Sequence, residues 1–227
     1  MIEPGGERAP ELGRLRPVLL RAQERGLVGP GPVAAHVHHA EAFAATVVAA
    51  GVATGAVVDL GSGGGVPGLV LALLWPWARV VLLETARRRT AFLAEAVEEL
   101  ELVARVAVLE GRAEEIGRDP VWRERQGLVV ARAFGSPAVT AECGAPLVAV
   151  GGALVVSEPP AGGGGEPVGE GRWPASALAP LGLVPRPRVV HQGRSFRVLD
   201  KVGGCEDRFP RRTGVPGKRP LFPTREG

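Results

Sequence analysis

Cysteine is almost missing from this chain. Cys143 and Cys205 are its only thiols, too few for a disulfide framework or a cysteine-rich zinc site, and such a composition suits a reducing cytoplasm. Tyrosine is absent altogether, while 33 glycines and 21 prolines stand beside heavy use of Ala, Arg and Val. That pattern marks a compositional bias, so no single glycine or proline carries an argument alone. Long apolar runs are missing too. The longest uncharged stretch, Ala42 to Val58, falls short of a membrane span and is interrupted by Gly51 and Gly55. It reads as a helix end, a turn and the start of a strand. Glu3, Glu7 and Glu11 precede any apolar run, which is unlike a secretory signal.

What is present suffices for a globular core. Apolar residues are 45% and charged residues 22% of 227, which suits one sizeable α/β domain. The net charge of +3 permits nucleic-acid binding without demanding it, because placement of the charge matters more.

The pattern predicts disorder over 1–10, then helices over 11–26 and 33–50 that form a cap. Alternation follows over a core spanning 55–204. Strands are expected at 56–60, 79–84, 105–109, 128–132 and 153–157. Helices are expected at 67–75, 86–100 and 136–148, with an Arg/Glu-rich helical stretch before the fourth strand. Short apolar strands separated by helices give βαβ units, and right-handed crossovers make these a mostly parallel, doubly wound, Rossmann-like sheet. Residues 159–171 read as a mobile Gly/Pro-rich loop and 173–181 as a short helix. Two strands over 186–191 and 195–202, joined at Gly193, close the sheet in antiparallel fashion. Residues 11–204 thus make one domain, and 205–227 form a basic, proline-rich tail.

Ligands of such sheets bind at the carboxyl ends of the strands, where the strand order reverses. The first strand ends in Asp59-Leu60-Gly61-Ser62-Gly63-Gly64-Gly65-Val66-Pro67-Gly68. Its glycines let the backbone turn sharply and approach a ligand closely. Residues 63–68 satisfy G-x-G-x-x-G, and Glu84 lies 21 residues beyond Gly63, about where a dinucleotide site keeps its ribose acid. Asp59 argues the other way. A carboxylate just ahead of the turn opposes a pyrophosphate, which needs the helix N-terminus for itself. S-adenosylmethionine (AdoMet) has no phosphate and carries a cationic amino group and sulfonium, so an acid at 59 suits it. Glu84 can accept both ribose hydroxyls in either case. AdoMet is the favoured ligand, with a dinucleotide as the alternative.

The run Asp59 to Gly68 resembles the bacterial small-subunit rRNA guanine-N7 methyltransferases, the glucose-inhibited division protein B family. Leu83-Glu84 with Arg87-Arg88-Arg89 and Phe92-Leu93, Gly111-Arg112-Ala113-Glu114-Glu115, and Ala131-Arg132-Ala133-Phe134 resemble further motifs in order. So do Arg197 to Lys201 and Arg208-Phe209-Pro210-Arg211-Arg212 near the end. The resemblance covers about residues 25–220. It implies a class I AdoMet-dependent methyltransferase fold and a cofactor pocket built from Asp59, Gly61, Ser62, Gly63, Gly65, Val66, Glu84, Thr85, Ala86, Ala113, Glu114 and Arg132. Ala113 and Glu114 would offer an N–H and a carboxylate to the adenine, and Arg132 would have a positioning role. The implied partner is rRNA or a precursor of the small ribosomal subunit. The sequence departs from the family at Ser157-Glu158, where Lys-Gly is usual, and at His36-Val37-His38-His39, where His-Ile-x-Asp-Ser is usual. An acid in place of a cation bears on the substrate, so another RNA or a small molecule stays open, as does a non-catalytic AdoMet- or RNA-binding relative.

Guanine N7 already has a free lone pair, so methyl transfer to it is an in-line displacement that needs no general base; positioning supplies the catalysis. Cys143, inside an expected helix, reads as core rather than as the thiol a pyrimidine carbon-5 methyltransferase needs. His36, His38 and His39 lack the acid or thiol neighbours of a metal site, so no metal is expected. The tail supplies the candidate RNA contacts Arg208, Arg211, Arg212, Lys218 and Arg219, with Phe209 and Phe222 available to stack on bases.

Overall fold

The computed structural model describes residues 9–159 and 170–223. Most of the expected disordered start, the loop over 160–169 and the last four residues lie outside the described residues. Ala9 and Pro10, expected to be disordered, instead open the first helix, where a proline loses no hydrogen bond.

The chain runs α1 (Ala9–Glu24), α2 (Val33–Ala49), β1 (Ala56–Leu60), α3 (Gly68–Leu74), β2 (Arg79–Glu84) and α4 (Arg87–Glu99). Then come β3 (Val106–Glu110), α5 (Ala113–Ile116), β4 (Gln126–Ala131), α6 (Pro137–Gly144) and β5 (Val148–Glu158). After the gap follow α7 (Ala175–Leu178), β6 (Leu183–Pro185), β7 (Val189–His191), β8 (Arg194–Lys201) and α8 (Val215–Lys218). The sheet order is β3-β2-β1-β4-β5-β8-β6, with β7 also paired to β8. Strands β1 to β5 are parallel, and β8 is antiparallel to β5, β6 and β7. The order therefore reverses between β1 and β4, which places a crevice above their carboxyl ends.

Each strand alternates its side chains between two cores. Val57, Val80, Leu82, Leu128, Val130 and Phe196 face the layer of α1 to α4. Val58, Leu60, Leu83, Val129, Leu154 and Leu199 face α6, α7 and the C-terminal segment. Both faces are covered, which is why these strands read as continuous apolar runs.

Three expected elements differ. The Arg/Glu-rich stretch is helical only over the four residues of α5, then continues in turns. The helix expected over 136–148 stops at Gly144 in a short 3-10 turn, and Val148 already begins β5. Pro146 has no N–H to continue the helical ladder. The strand expected over 186–191 shortens to β7, and an unexpected strand, β6, precedes it over 183–185; Pro185 and Pro187 lack the donors that one continuous ladder would need.

The tail is not a free arm. Phe209 and Phe222 are buried in the second core, and Arg123 donates to the carbonyls of Phe209 and Cys205 at 2.7 and 2.8 Å. Among the described residues, no helix is long and apolar enough to cross a membrane.

Candidate functional site

The glycine turn is held from below. Asp59 points to the α3 side of the sheet, where its Oδ2 accepts the backbone N–H of Gly68 at 2.9 Å. A β-carbon on Gly68 would sit 2.6 Å from that oxygen, so only glycine admits the carboxylate here. Burial pushes the Asp59 carboxyl up to about 7, against the Gly68 hydrogen bond that lowers it. Its other oxygen, Oδ1, is buried with no hydrogen-bond partner. Ser62 donates its hydroxyl to the Asp59 carbonyl at 2.9 Å, and the N–H groups of Gly61 and Ser62 both donate to Leu83 O. These contacts tie the turn to the end of β2.

Glu84 closes that strand and is almost wholly buried. Its Oε1 accepts the N–H groups of Thr85 and Ala86 at 2.8 and 3.0 Å, and its Oε2 accepts that of Gly63 at 3.0 Å. Burial raises the pKa of Glu84, but the three backbone donors outweigh it and hold the carboxyl below its ordinary range. Arg89 also reaches Oε2, at 3.4 Å. The expectation that Glu84 stands ready for two ribose hydroxyls therefore needs correcting. One oxygen is filled by two backbone donors, and a sugar must take the place of the Arg89 contact on the other.

Gly61, Glu84, Thr85, Ala113 and Glu114 line one cleft of about 350 Å³. The remaining residues expected around the cofactor do not line it. Asp59, Ser62 and Val66 lie buried, and a side chain on Gly65 would strike Leu69 at 2.4 Å. Gly63 and Ala86 serve as backbone donors to Glu84. These residues shape the turn rather than the walls.

Arg89, Gly111, Arg112, Phe134, Val139, Cys143, Gly214 and Gly217 complete the lining. Gly214 and Gly217 come from the tail, and no local signal in the sequence announces their return. Gly214 donates its N–H to Glu114 Oε1 at 2.9 Å, and the Thr213 hydroxyl donates to Glu115 at 3.1 Å. The carboxylate expected to meet an adenine is thus capped by the tail. The Cys143 thiol is buried, and burial raises its pKa well above the ordinary value, which makes it inert.

Arg132 stands elsewhere. With Phe134, Ser157, Glu158, Arg172 and Trp173 it lines a second cavity of about 300 Å³ at the ends of β4 and β5. Phe134 and Ala133 wall both spaces. Ala133 has φ +53°, a left-handed conformation that costs a non-glycine residue about 1–2 kcal/mol. Arg132 donates to His36 Nδ1 at 2.8 Å, and His36 Nε2 lies 3.1 Å from Gly29 O. Both contacts hold together when His36 is neutral with its proton on Nε2. Burial, then the charge of Arg132, lowers the pKa of His36 and keeps it so. His39 packs edge-on against Phe196 with centroids 5.4 Å apart, and burial lowers its pKa to about 4.

Glu158 is not an acid turned toward solvent. It is buried, accepts the indole N–H of Trp173 at 2.7 Å, and has Arg172, Arg197 and Arg188 at 3.5, 3.6 and 3.9 Å.

The basic tail divides. Arg211 makes a two-pronged pair with the fully buried Glu142, at 2.8 and 2.6 Å, so it anchors the tail. Arg208 pairs with Glu206 and lies over the Phe209 ring. Arg212, Lys218 and Arg219 are exposed. Phe209 and Phe222, being buried, are not free to stack on bases.

The fold is shared with solved structures, methyltransferases among them. Cofactor-bound Rv0187 from MTB superposes with a TM-score of 0.59 at 18% identity, over 86% of this chain and 91% of that one. The O-methyltransferase NcsB1 from neocarzinostatin biosynthesis, solved with S-adenosylmethionine, gives 0.51 at 20% identity over 65% of this chain and 49% of that one. Sequence relatives are nearer. Ribosomal RNA small subunit methyltransferase G of Rubrobacter xylanophilus is 39% identical over 74% of this chain and 66% of its own length. Its namesake in Pelotomaculum thermopropionicum is 37% identical over 73% and 69%. Residues 23–158 match the family model for rRNA small subunit methyltransferase G. The chain, with its acid-led glycine turn and its class I methyltransferase sheet, belongs to that family.

Proposed function

We propose that this chain is an AdoMet-dependent methyltransferase of small-subunit ribosomal RNA, and that its acceptor atom is N7 of a guanine. The observation that carries the reading is the pair of spaces divided by Phe134. A cleft walled by Glu84 and Glu114 lies on one side, and an arginine-lined cavity lies on the other.

The chain's own groups suit AdoMet. Glu84 lines the cleft and would take a ribose hydroxyl on Oε2 in place of Arg89, and the backbone N–H of Ala113 with Glu114 suits the edge of an adenine. The buried Asp59 Oδ1 has no partner, and when ionised it places negative charge beneath the turn, which favours a cationic ligand over a pyrophosphate. The cleft volume of about 350 Å³ is within the usual range for small-molecule sites. When bound, AdoMet supplies an electrophilic methyl group. A guanine N7 lone pair accepts it without losing a proton, so the residues need only orient base and donor and exclude water. Arg132, held by His36, is the positioning residue. Arg212, Lys218 and Arg219 are the tail's RNA contacts. We read residues 11–204 as one catalytic unit, with the tail as part of its wall.

A different substrate had its motive in Glu158, an acid where the family usually has a cation; the burial of Glu158 among arginines supports the rRNA reading. Two measurements test the proposal. Calorimetry should show one site for AdoMet and one for S-adenosylhomocysteine; binding of neither defeats the cofactor assignment. Ribosomes from a deletion strain should lack one N7-methylguanosine, and an unchanged modification map defeats the rRNA assignment.

A further inference from the structure

Arg132 is a half-buried guanidinium in a cavity wall, and among the described residues it forms no ion pair. Its one hydrogen bond there goes to the neutral His36. Asp59, the acid acting on it at longer range, already accepts the N–H of Gly68. A guanidinium taken out of water is costly unless an anion meets it. Its surroundings increase that demand. Arg172 lines the same cavity, and Arg188 and Arg197 stand behind Glu158. Three of these guanidinium groups lie within 3.9 Å of Glu158, while Arg132, in the same cavity wall, has no ion pair with it. Trp173 donates to that carboxylate from the cavity wall and takes up part of its capacity. The Nε atoms of Arg188 and Arg197 are buried without hydrogen-bond partners, although other nitrogens of the two donate to Ser195 and to the Arg186 carbonyl.

We propose that this cavity, at the carboxyl ends of β4 and β5, is a phosphate site that takes the phosphodiester of the acceptor nucleotide, with Arg132 and Arg172 in its wall. This rests on the RNA methyltransferase reading and deepens it. Guanidinium groups match a phosphate's oxygens geometrically and stay charged even when partly buried. The family usually carries Lys-Gly where this chain has Ser157-Glu158. Glu158 does not turn the site acidic, because Arg172, Arg188 and Arg197 stand within 3.9 Å of it. The position also fits the chemistry. In an anti purine nucleotide the N7 edge lies on the side of its own 5′ phosphate. A phosphate held here therefore presents N7, rather than the Watson–Crick edge, toward the shared wall of Ala133 and Phe134 and the donor cleft behind it.

The test uses the full chain saturated with S-adenosylhomocysteine, titrated at constant ionic strength with inorganic phosphate, guanosine 5′-monophosphate and guanosine. The nucleotide should bind about tenfold or more tighter than the nucleoside, and inorganic phosphate should compete with it at one site. Arg132→Gln should weaken both anions by a similar factor, and Arg132→Lys should recover part of the loss. Far-UV circular dichroism and melting would establish that both variants are folded. With small-subunit rRNA, Arg132→Gln should also lower the slope of log affinity against log salt by about 0.7. Equal binding of guanosine and its monophosphate, no binding of either anion, or anion affinity untouched in Arg132→Gln would overturn the site. Loss of the rRNA assignment shows separately, as an unchanged N7-methylguanosine map beside intact anion binding.

Discussion

Asp59 accepts the N–H of Gly68 at 2.9 Å, so the acid that leads the glycine turn is fastened to the first residue of α3 rather than exposed in the cleft. The bond fixes how the turn leaves β1 and enters the helix. It also leaves a buried carboxyl whose charge is costly. Burial raises its pKa from 3.8 to about 7. The native state then binds this proton more tightly than the unfolded chain does. Its contribution is fully present below about pH 4 and is lost as pH rises through about 7. Asp59→Asn keeps an oxygen for Gly68 and has no proton to lose. Urea denaturation between pH 4.5 and 8 should therefore show wild-type stability falling relative to Asp59→Asn as pH rises. Parallel curves would refute the burial argument. A cation bound above the turn should favour ionised Asp59, so AdoMet binding near neutral pH should release protons in the wild type and not in the variant.

Gly61 and Gly51 both have left-handed backbone, at φ +74° and +69°. Alanine at 51 meets nothing within 4 Å, whereas at 61 its β-carbon would lie 2.6 Å from Phe134 Cδ2. Gly51→Ala should cost about 1–2 kcal/mol of backbone strain. Gly61→Ala should cost that and about 1–3 kcal/mol more for the displaced ring, and should weaken S-adenosylhomocysteine binding. Equal losses of stability in the two variants would mean that Phe134 yields freely.

Arg211 and Arg212 are neighbours in the basic tail with opposite expected phenotypes. Arg211→Ala strands the buried Glu142 and should destabilise the fold by about 3–5 kcal/mol. Arg212→Ala should stay within about 0.5 kcal/mol of wild type and lower the salt slope of RNA binding instead. Denaturant titration and filter binding on both variants separate the roles; a stable Arg211→Ala contradicts the anchor.

Glu158→Lys looks from sequence like the restoration of a phosphate-binding cation. In the fold it sets an ammonium among Arg172, Arg188 and Arg197 and removes the acceptor of the Trp173 indole. It should destabilise by about 3–5 kcal/mol. Glu158→Gln keeps an acceptor for Trp173 and should cost less. A Glu158→Lys protein that melts like wild type and binds RNA more tightly would show the acid to be dispensable.

Much of the architecture was legible because it rests on local chemistry. Alternation of short apolar strands with helices named the doubly wound sheet, and β1 and β2 span the 56–60 and 79–84 that this pattern predicts. Prolines were harder to read. Pro146 lies in the 3-10 turn that replaces the end of an expected helix, and Pro185 and Pro187 bound short strands, because a missing N–H acts on whichever ladder passes through it, and the ladder is a matter of tertiary pairing.

The site divides along the same line. By itself the sequence determined the glycine turn, the acid before it and the acid at the end of β2, since their spacing follows from one βαβ unit. Only the tertiary structure decided which of these groups face outward. Asp59 turned under the helix, Glu114 was capped by Gly214 from 100 residues away, and Glu158 was enclosed by arginines. A side chain's charge is written in the sequence. Whether water, backbone or a counter-ion meets that charge depends on which distant segments fold against it.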